Sequence, residues 1–393
     1  MMMLLITNVR IVLPDAVLER GWIRLEGRRI AEVAEGDPPF PGGRAVDGRG
    51  LTAIPGIIDL HGDMLEREVE PRPGAEFPLD MALFELDKRL AAAGVTTAYA
   101  ALSFWDNEGR EVSRKQELVR RMVETIHAMR DHLLVEHRVH ARFEVSTPSV
   151  VPLLAALLAA GKVELLSLMD HTPGQGQYRD IEHYIGFMSK WRRIDPEHVE
   201  VELRERMERA GTLEQRWALA RDIVALAADR GLPIASHDDD TAAKVDLVAS
   251  LGAGLAEFPV TLEAATEARR RGMYVAMGAP NALRGGSHSG NLSAREAVAA
   301  GVVDCLAADY HPGTLVQAAF GLARDGVASL PAAVALVTSG PAAALGLADA
   351  GHITTGARAD LALVEDGPRP RVRATIRGGT PIYWDSAMWG RDA

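Results

Sequence analysis

Residues 55–66 read "PGIIDLHGDMLE". A short run, Ile57–Leu60, apolar except for Asp59, follows the Pro55-Gly56 pair and stops at His61-Gly62-Asp63. The run has the composition of a strand buried on both faces. Residues two apart on a strand share a face, so His61 and Asp63 are expected to point the same way, out of its C-terminal end.

Seven more runs of this kind lie downstream: "VTTAYAAL", "VHARFEV", "VELLSLMDH", "LPIASH", "AGLAEF", "MYVAMGAP" and "VDCLAADYHP". Helix-like stretches separate them, including 79–93, 114–135, 213–230 and 262–271. Strands alternating with helices imply a parallel sheet. Eight such strands over residues 55–349 predict an α/β fold, a TIM-like (β/α)8 barrel, with a doubly wound open sheet as the other arrangement. Residues 1–54 and 350–393 differ. "LLITNVRIVL", "GWIRLEGRRIAEVAEG", "GHITTGARADLALVED" and "VRATIRGGTPIYW" have a period near two. Neither end can bury a core alone, so the two are expected to pair into one small β-sandwich domain. Residues 180–211 are highly charged and long for a connection, which suggests a lid or a subunit contact in a homodimer.

Composition narrows the function. The 393-residue chain is 47% hydrophobic with a net charge of −11, so a nucleic-acid or membrane surface, which needs a basic field, is not expected. The single cysteine, Cys305, excludes an internal disulfide framework and fits a reducing compartment. The apolar start, "MMMLLITNVRIVLPD", has no basic leader and reads as a strand. No run reaches about 18 uninterrupted apolar residues. A cytoplasmic protein is the expectation.

Polar residues gather at the ends of the runs: His61 and Asp63, Glu144, His171, His237 and Asp309. In a β/α barrel those ends form the active-site face. Each has a structural alternative. Glu144 can pair with Arg142, Asp309 can cap the following helix, and a lone strand-end histidine is commonly a hydrogen-bonded core residue. Six such residues at one kind of position argue for a shared role. Three imidazoles and three carboxylates are too many for one tetrahedral ion and suit two divalent ions bridged by a carboxylate such as Glu144. The mixed N/O set admits zinc first, with manganese, iron or nickel also suited. His127, His132, His137, His140, His183, His198 and His352 lie in helical, charged or peripheral segments and read as surface residues. Asp238–Asp240 of "SHDDDT" read first as the start of a helix, favoured by its dipole, with orienting His237 or holding an extra cation as the alternatives.

Two glycine-rich loops follow barrel strands. "DHTPGQGQY" carries Gln175 and Gln177; "GAPNALRGGSHSGN" carries Asn281, Arg284, His288, Ser289 and Asn291. Backbone N–H groups of such loops and an arginine fork suit phosphate oxygens. Tight turns are the structural alternative. Together the loops point to a small anionic substrate.

"PGIIDLHGD", "VTSGPAAALGL" and "GHITTGARADLALV" resemble the amidohydrolase superfamily over nearly the whole chain. "HGDMLE", "HARFEVSTP", "DHTPGQGQY", "SHDDDT" and "GAPNALRGGSHSGN" together are similar to a narrower group, the phosphonate-metabolism diphosphatases of the carbon–phosphorus lyase pathway. That resemblance implies hydrolysis of α-D-ribose 1-methylphosphonate 5-triphosphate, a phosphorylated sugar, to the 5-phosphate and diphosphate. As a working hypothesis, one metal sits on His61, Asp63 and Asp309 and a second on His171 and His237, with Glu144 between them and Asp309 taking or relaying the proton. The loop residues Gln175, Gln177, Asn281, Arg284, His288, Ser289 and Asn291 would bind substrate. Asp63 stands where the wider superfamily has a second histidine, and Glu144 where it often has a carboxylated lysine. His311 stands where the narrower group is expected to have a small apolar residue. A cyclic amidase or N-acyl deacetylase on the same scaffold, and a metal-free scaffold protein, are the competing readings. The glycine-rich loops argue against the first and the full set of six ligands against the second.

Overall fold

Two sheets organise the chain in the computed structural model, which describes residues 3–39, 44–72, 74–105, 112–172, 174–176, 181–209, 212–287 and 290–391. The N-terminal strands are β1 (Met3–Val12), β2 (Val17–Glu26), β3 (Arg29–Glu35), β4 (Arg44–Asp47) and β5 (Thr52–Pro55). The barrel strands are β6 (Ile57–Gly62), β7 (Val95–Phe104), β8 (Glu136–Glu144), β9 (Leu165–Met169), β10 (Ile234–His237), β11 (Leu255–Glu257), β12 (Tyr274–Gly278) and β13 (Cys305–Ala307). The C-terminal strands are β14 (Leu361–Glu365), β15 (Arg371–Arg377) and β16 (Thr380–Trp384).

The first and last groups form one mostly antiparallel sheet in the order β16-β15-β14-β5-β1-β2-β3, with β4 beside β1. Both chain ends are needed because β5 pairs with β14. Ile6, Ile11, Ile23, Leu25, Leu361, Leu363 and Ile376 fill its core. Burying each stabilises by roughly 1.5–3 kcal/mol. Arg358 ties this sheet to the N-terminal end of the barrel, donating to Glu136 at 2.9 Å and to Thr97 Oγ1 at 2.9 Å.

β6 to β13 are parallel neighbours in sequence order. The barrel closes where β13 returns to β6. Asp309 N donates to His61 O at 2.9 Å, and Asp63 N donates to Asp309 O at 2.9 Å. The buried carboxylate of Asp59 reaches across the same seam to accept from Ala308 N at 2.9 Å. Here the glycine of "HGD" is explained: a Cβ on Gly62 would stand 2.8 Å from Asp59 Oδ2 and 2.6 Å from Met64 Cε. The motif that opens the barrel thus also seals it.

The helix-like stretches settle at Leu79–Ala92, Val112–Met129, Leu213–Ala228 and Leu262–Arg270. Thr212, Thr241 and Thr261 cap helices by accepting N–H bonds from the third residue on, which satisfies donors left open at a helix start. The charged segment folds as helices Ile181–Arg192 and Pro196–Arg209. The surface reading of His137 and His140 is corrected: both are buried on β8. His137 pairs with Asp87 at 2.9 Å on the helix side of the strand. His140, Arg142 and Glu144, at spacing two, occupy the other side and turn into the barrel. Alternating polar residues ordinarily mark a half-exposed strand, and here they mark a strand facing a polar barrel interior.

Candidate metal centre

Six of the eight barrel strands bring a titratable or cationic side chain to the C-terminal end of the barrel. β6 delivers His61, β8 delivers Arg142 and Glu144, and His171 stands two residues beyond β9. β10 ends in His237, β11 ends in Glu257, and β13 leads to Asp309. Asp238, Phe258 and Asp309, immediately or shortly after their strands, have φ of 56°, 55° and 55°. Non-glycine residues avoid this left-handed region, and strain of that kind gathers at functional sites. All three side chains line the mouth.

The histidines share a pattern. His171 Nδ1 lies 2.8 Å from Glu144 Oε2. His61 Nδ1 lies 3.2 Å from Glu257 Oε1, and His237 Nδ1 lies 3.4 Å from Glu257 Oε2. A carboxylate beside Nδ1 takes the ring N–H there and leaves Nε2 with its lone pair, the arrangement that orients a metal-binding imidazole. The Nε2 atoms of His171 and His237 each lie 3.6 Å from Asp238 Oδ2. The rings of His61 and His237 stack with centroids 5.3 Å apart.

Electrostatics follow from this packing. Burial pushes the His171 imidazole down, but hydrogen bonds to Asp238 and Glu144 outweigh it and hold the ring up at about 9. Burial, with the nearby His61, Arg142 and His237, takes His140 down to about 3, against the pull of Glu257. Burial likewise lowers His237. Glu257 is fully buried, yet His140 and His61 beside it, with hydrogen bonds from His237 and His61, hold it well below the usual carboxylate range. Asp238 is lowered by His237 and His171 despite its burial. Asp309 is pushed up to about 6 by burial and by the neighbouring Asp63.

Two trios bring ligand atoms within 4.8 Å of one another: His61, His237 and Glu257, and His171, His237 and Asp238. Asp63 Oδ1 and His140 Nε2 are buried with no hydrogen-bond partner. Mixed imidazole and carboxylate donors of this kind, some without partners, fit a divalent cation. The mouth above them is a cavity of about 750 Å³.

His61, Asp63, His171, His237 and Asp309 all line this cavity, as do Asn281, Arg284 and Asn291. Glu144 does not. Its carboxylate accepts from His171 N at 3.2 Å, His171 Nδ1 at 2.8 Å and Ser146 Oγ at 2.8 Å. Arg142 is not its partner. Asp309 caps no helix: the next begins at Thr314 after Gly313, with no side-chain cap. Arg284 donates to Tyr310 Oη at 2.8 Å. Asn281 holds its own loop, donating to Leu292 O at 2.9 Å and accepting from Ala294 N at 3.0 Å. Gln175 is half-buried, with its amide nitrogen unpartnered. Gln177, His288 and Ser289 lie outside the described residues. His311 is exposed, with its ring close to Gly313.

The helix-start reading of Asp238–Asp240 holds for none of the three as a cap, since Thr241 caps that helix. Asp239 hydrogen-bonds Ser236, Asp240 accepts from Gly176 N at 2.9 Å, and Asp238 enters the site. Sequence reasoning also missed Glu257, although it ends "AGLAE" as His237 ends "PIASH", and the same strand-end rule reaches it. His140 and Arg142 had no comparable signal.

The profile described as "Amidohydrolase family" matches residues 200–383. The chain is 38% identical over 367 residues to the alpha-D-ribose 1-methylphosphonate 5-triphosphate diphosphatase of Escherichia coli (strain K12), covering 92% of this chain and 94% of that one. Among solved structures, N-isopropylammelide isopropylaminohydrolase from Burkholderia multivorans ATCC 17616 superimposes with a TM-score of 0.65 at 21% identity, over 97% of this chain and 98% of that chain. Dihydropyrimidinase from Brevibacillus agri NCHU1002 does so at 0.59 and 13%, over 100% and 97%. The two solved structures share the fold; the match to the diphosphatase over almost the full length, with the barrel and its ring of strand-end donors, makes this chain a member of the amidohydrolase family.

Proposed function

We propose that the protein is a metal-dependent phosphoanhydride hydrolase that splits alpha-D-ribose 1-methylphosphonate 5-triphosphate into the 5-phosphate and diphosphate. The observation that carries this reading is the 38% identity to the diphosphatase over 92% of the chain. The arginines lining the cavity support it, because a triphosphate needs cationic donors in a mouth that is otherwise rich in carboxylates.

Two divalent ions, zinc foremost, would be held by His61, Asp63, His171, His237 and Asp309, with Asp238 added by the geometry. When bound they supply Lewis acidity and an acidified water. Glu257 and Glu144 keep the imidazoles in one tautomer and orientation. Asp309, raised to about 6, is ionised at neutral pH and still basic enough to accept a proton from the attacking water. Arg284 takes charge on the departing diphosphate, held at the rim by Tyr310. Asn281, Asn291 and Gln175, with Gln177, His288 and Ser289, bind phosphate and sugar oxygens. No helix among the described residues is long and apolar enough to cross a membrane, which accords with a cytoplasmic enzyme.

Phosphorus NMR of the products tests the reading. Diphosphate release from the ribose 5-triphosphate is expected. Orthophosphate release, or turnover only of dihydroorotate or N-acetylglucosamine 6-phosphate, would overturn it.

A further inference from the structure

Among the described residues three arginines line the cavity: Arg67 and Arg284 are exposed, and Arg142 is half-buried. Arg142 lies between His140 and Glu144 on the inward side of β8 and lines the cavity together with His61, His237, Asp238 and Asp309. Its Nη2 reaches His237 Nε2 at 3.4 Å. Its Nε is buried and has no acceptor. Among the described residues no carboxylate lies within ion-pair distance of it, although Asp309 and Asp238 both feel its charge. Leaving a buried N–H donor without an acceptor is unfavourable, because its water is lost and nothing replaces it. A guanidinium kept at that cost among so many carboxylates is in place for a ligand that brings its own acceptor oxygens. A planar fork of donors matches a tetrahedral oxyanion, which can accept two parallel N–H bonds.

We propose that Arg142 binds the phosphoryl group undergoing attack, as a catalytic residue at the inner end of the cavity, distinct from Arg284 at the rim. This rests on the phosphoanhydride reading above. In the reaction, water attacks the α-phosphorus and the bond from that phosphorus to the bridging oxygen breaks. The bridging oxygen leaves with the electron pair on diphosphate, and the water proton passes to Asp309. Negative charge gathers on the non-bridging oxygens during that exchange, and Arg142 is the fixed cation nearest the acid–imidazole cluster where it gathers. Donors aimed at developing charge act on kcat more than on KM.

The test uses the metal-loaded enzyme with Arg142→Ala and Arg142→Lys. Expected is a fall in kcat of about 10²–10³-fold for R142A, the range for removal of one such donor. R142K should recover little, since an ammonium lacks the fork. Free guanidinium at non-denaturing concentration should restore part of the R142A rate. Metal content and melting temperature should match the wild type. Affinity for inorganic phosphate, which stands for the attacked phosphoryl group, measured by calorimetry without turnover, should fall in R142A, and this readout stands even if the ribose triphosphate proves not to be the substrate. Unchanged kcat or unchanged phosphate affinity in R142A overturns the proposal. So does a loss of metal content in step with activity, which would make Arg142 a brace for His237.

Discussion

Glu257→Gln is the most informative single change. Glu257 has no exposed surface and accepts from His61 Nδ1 at 3.2 Å, His237 Nδ1 at 3.4 Å and Ser167 Oγ at 2.8 Å. Glutamine keeps the volume and one oxygen but removes the charge, and its amide N–H₂ faces at least one ring N–H. A hydrogen bond to a charged group contributes about 1.5–3 kcal/mol, and the two ring contacts are long enough to take the lower figure. Losing the orientation of both rings therefore costs about 3 kcal/mol. At about 1.4 kcal/mol per decade that is roughly a 100-fold loss in metal affinity, the upper end of the effect known for removing a partner that orients a ligand. Zinc competition against a chromophoric chelator measures it, with circular dichroism confirming the fold. Wild-type zinc affinity in folded E257Q would refute the reasoning, because the tautomers of His61 and His237 would then be set by something other than Glu257.

Other outcomes follow from the same geometry. In the metal-free protein the folded-state value of His171, about 9, lies above an unfolded value of about 6.5. Its contribution, on the order of 3 kcal/mol, is therefore complete below pH 6.5 and lost as pH rises through 9; urea unfolding across that window, against His171→Asn, checks the slope. A metal at Nε2 must displace that proton, so zinc affinity should rise with pH below about 9, read by the same chelator competition. Asp309 must be ionised to accept a proton, so kcat/KM should fall as pH drops through 6 or lower, and Asp309→Asn should abolish that limb together with most activity. Gly62→Ala places a Cβ 2.8 Å from the fixed Asp59 carboxylate at the barrel seam. It should destabilise by about 1–3 kcal/mol in thermal unfolding and lower activity with it. Arg284→Ala should reduce kcat/KM toward the triphosphate, and full retention would remove Arg284 from the site.

How much of this was legible in the sequence depends on distance along the chain. The eight runs that begin with "GIIDLH" became β6 to β13 without exception, because a short apolar β-rich run between turn residues has one stable use when helices cover both its ends. The pairing of the chain ends was legible because each end lacked a core. The strand-end rule gathered His61, Asp63, His171, His237 and Asp309 around one cavity, since strand direction and position fix where such residues emerge.

What the tertiary structure alone decided is which polar groups face each other. Glu144 and Glu257 occupy equivalent strand ends, yet each is turned onto a histidine Nδ1 from another strand, a contact with no trace in local sequence. Asp238 looked like a helix start and became part of the cluster because a left-handed residue after β10 swings its carboxylate into the mouth. His140 read as a surface residue, but the barrel closed over its side of the strand. Local patterning determines where a side chain leaves the backbone. Whether it then meets water, a carboxylate or a cavity is set by strands that are distant in sequence and adjacent only once the barrel has closed.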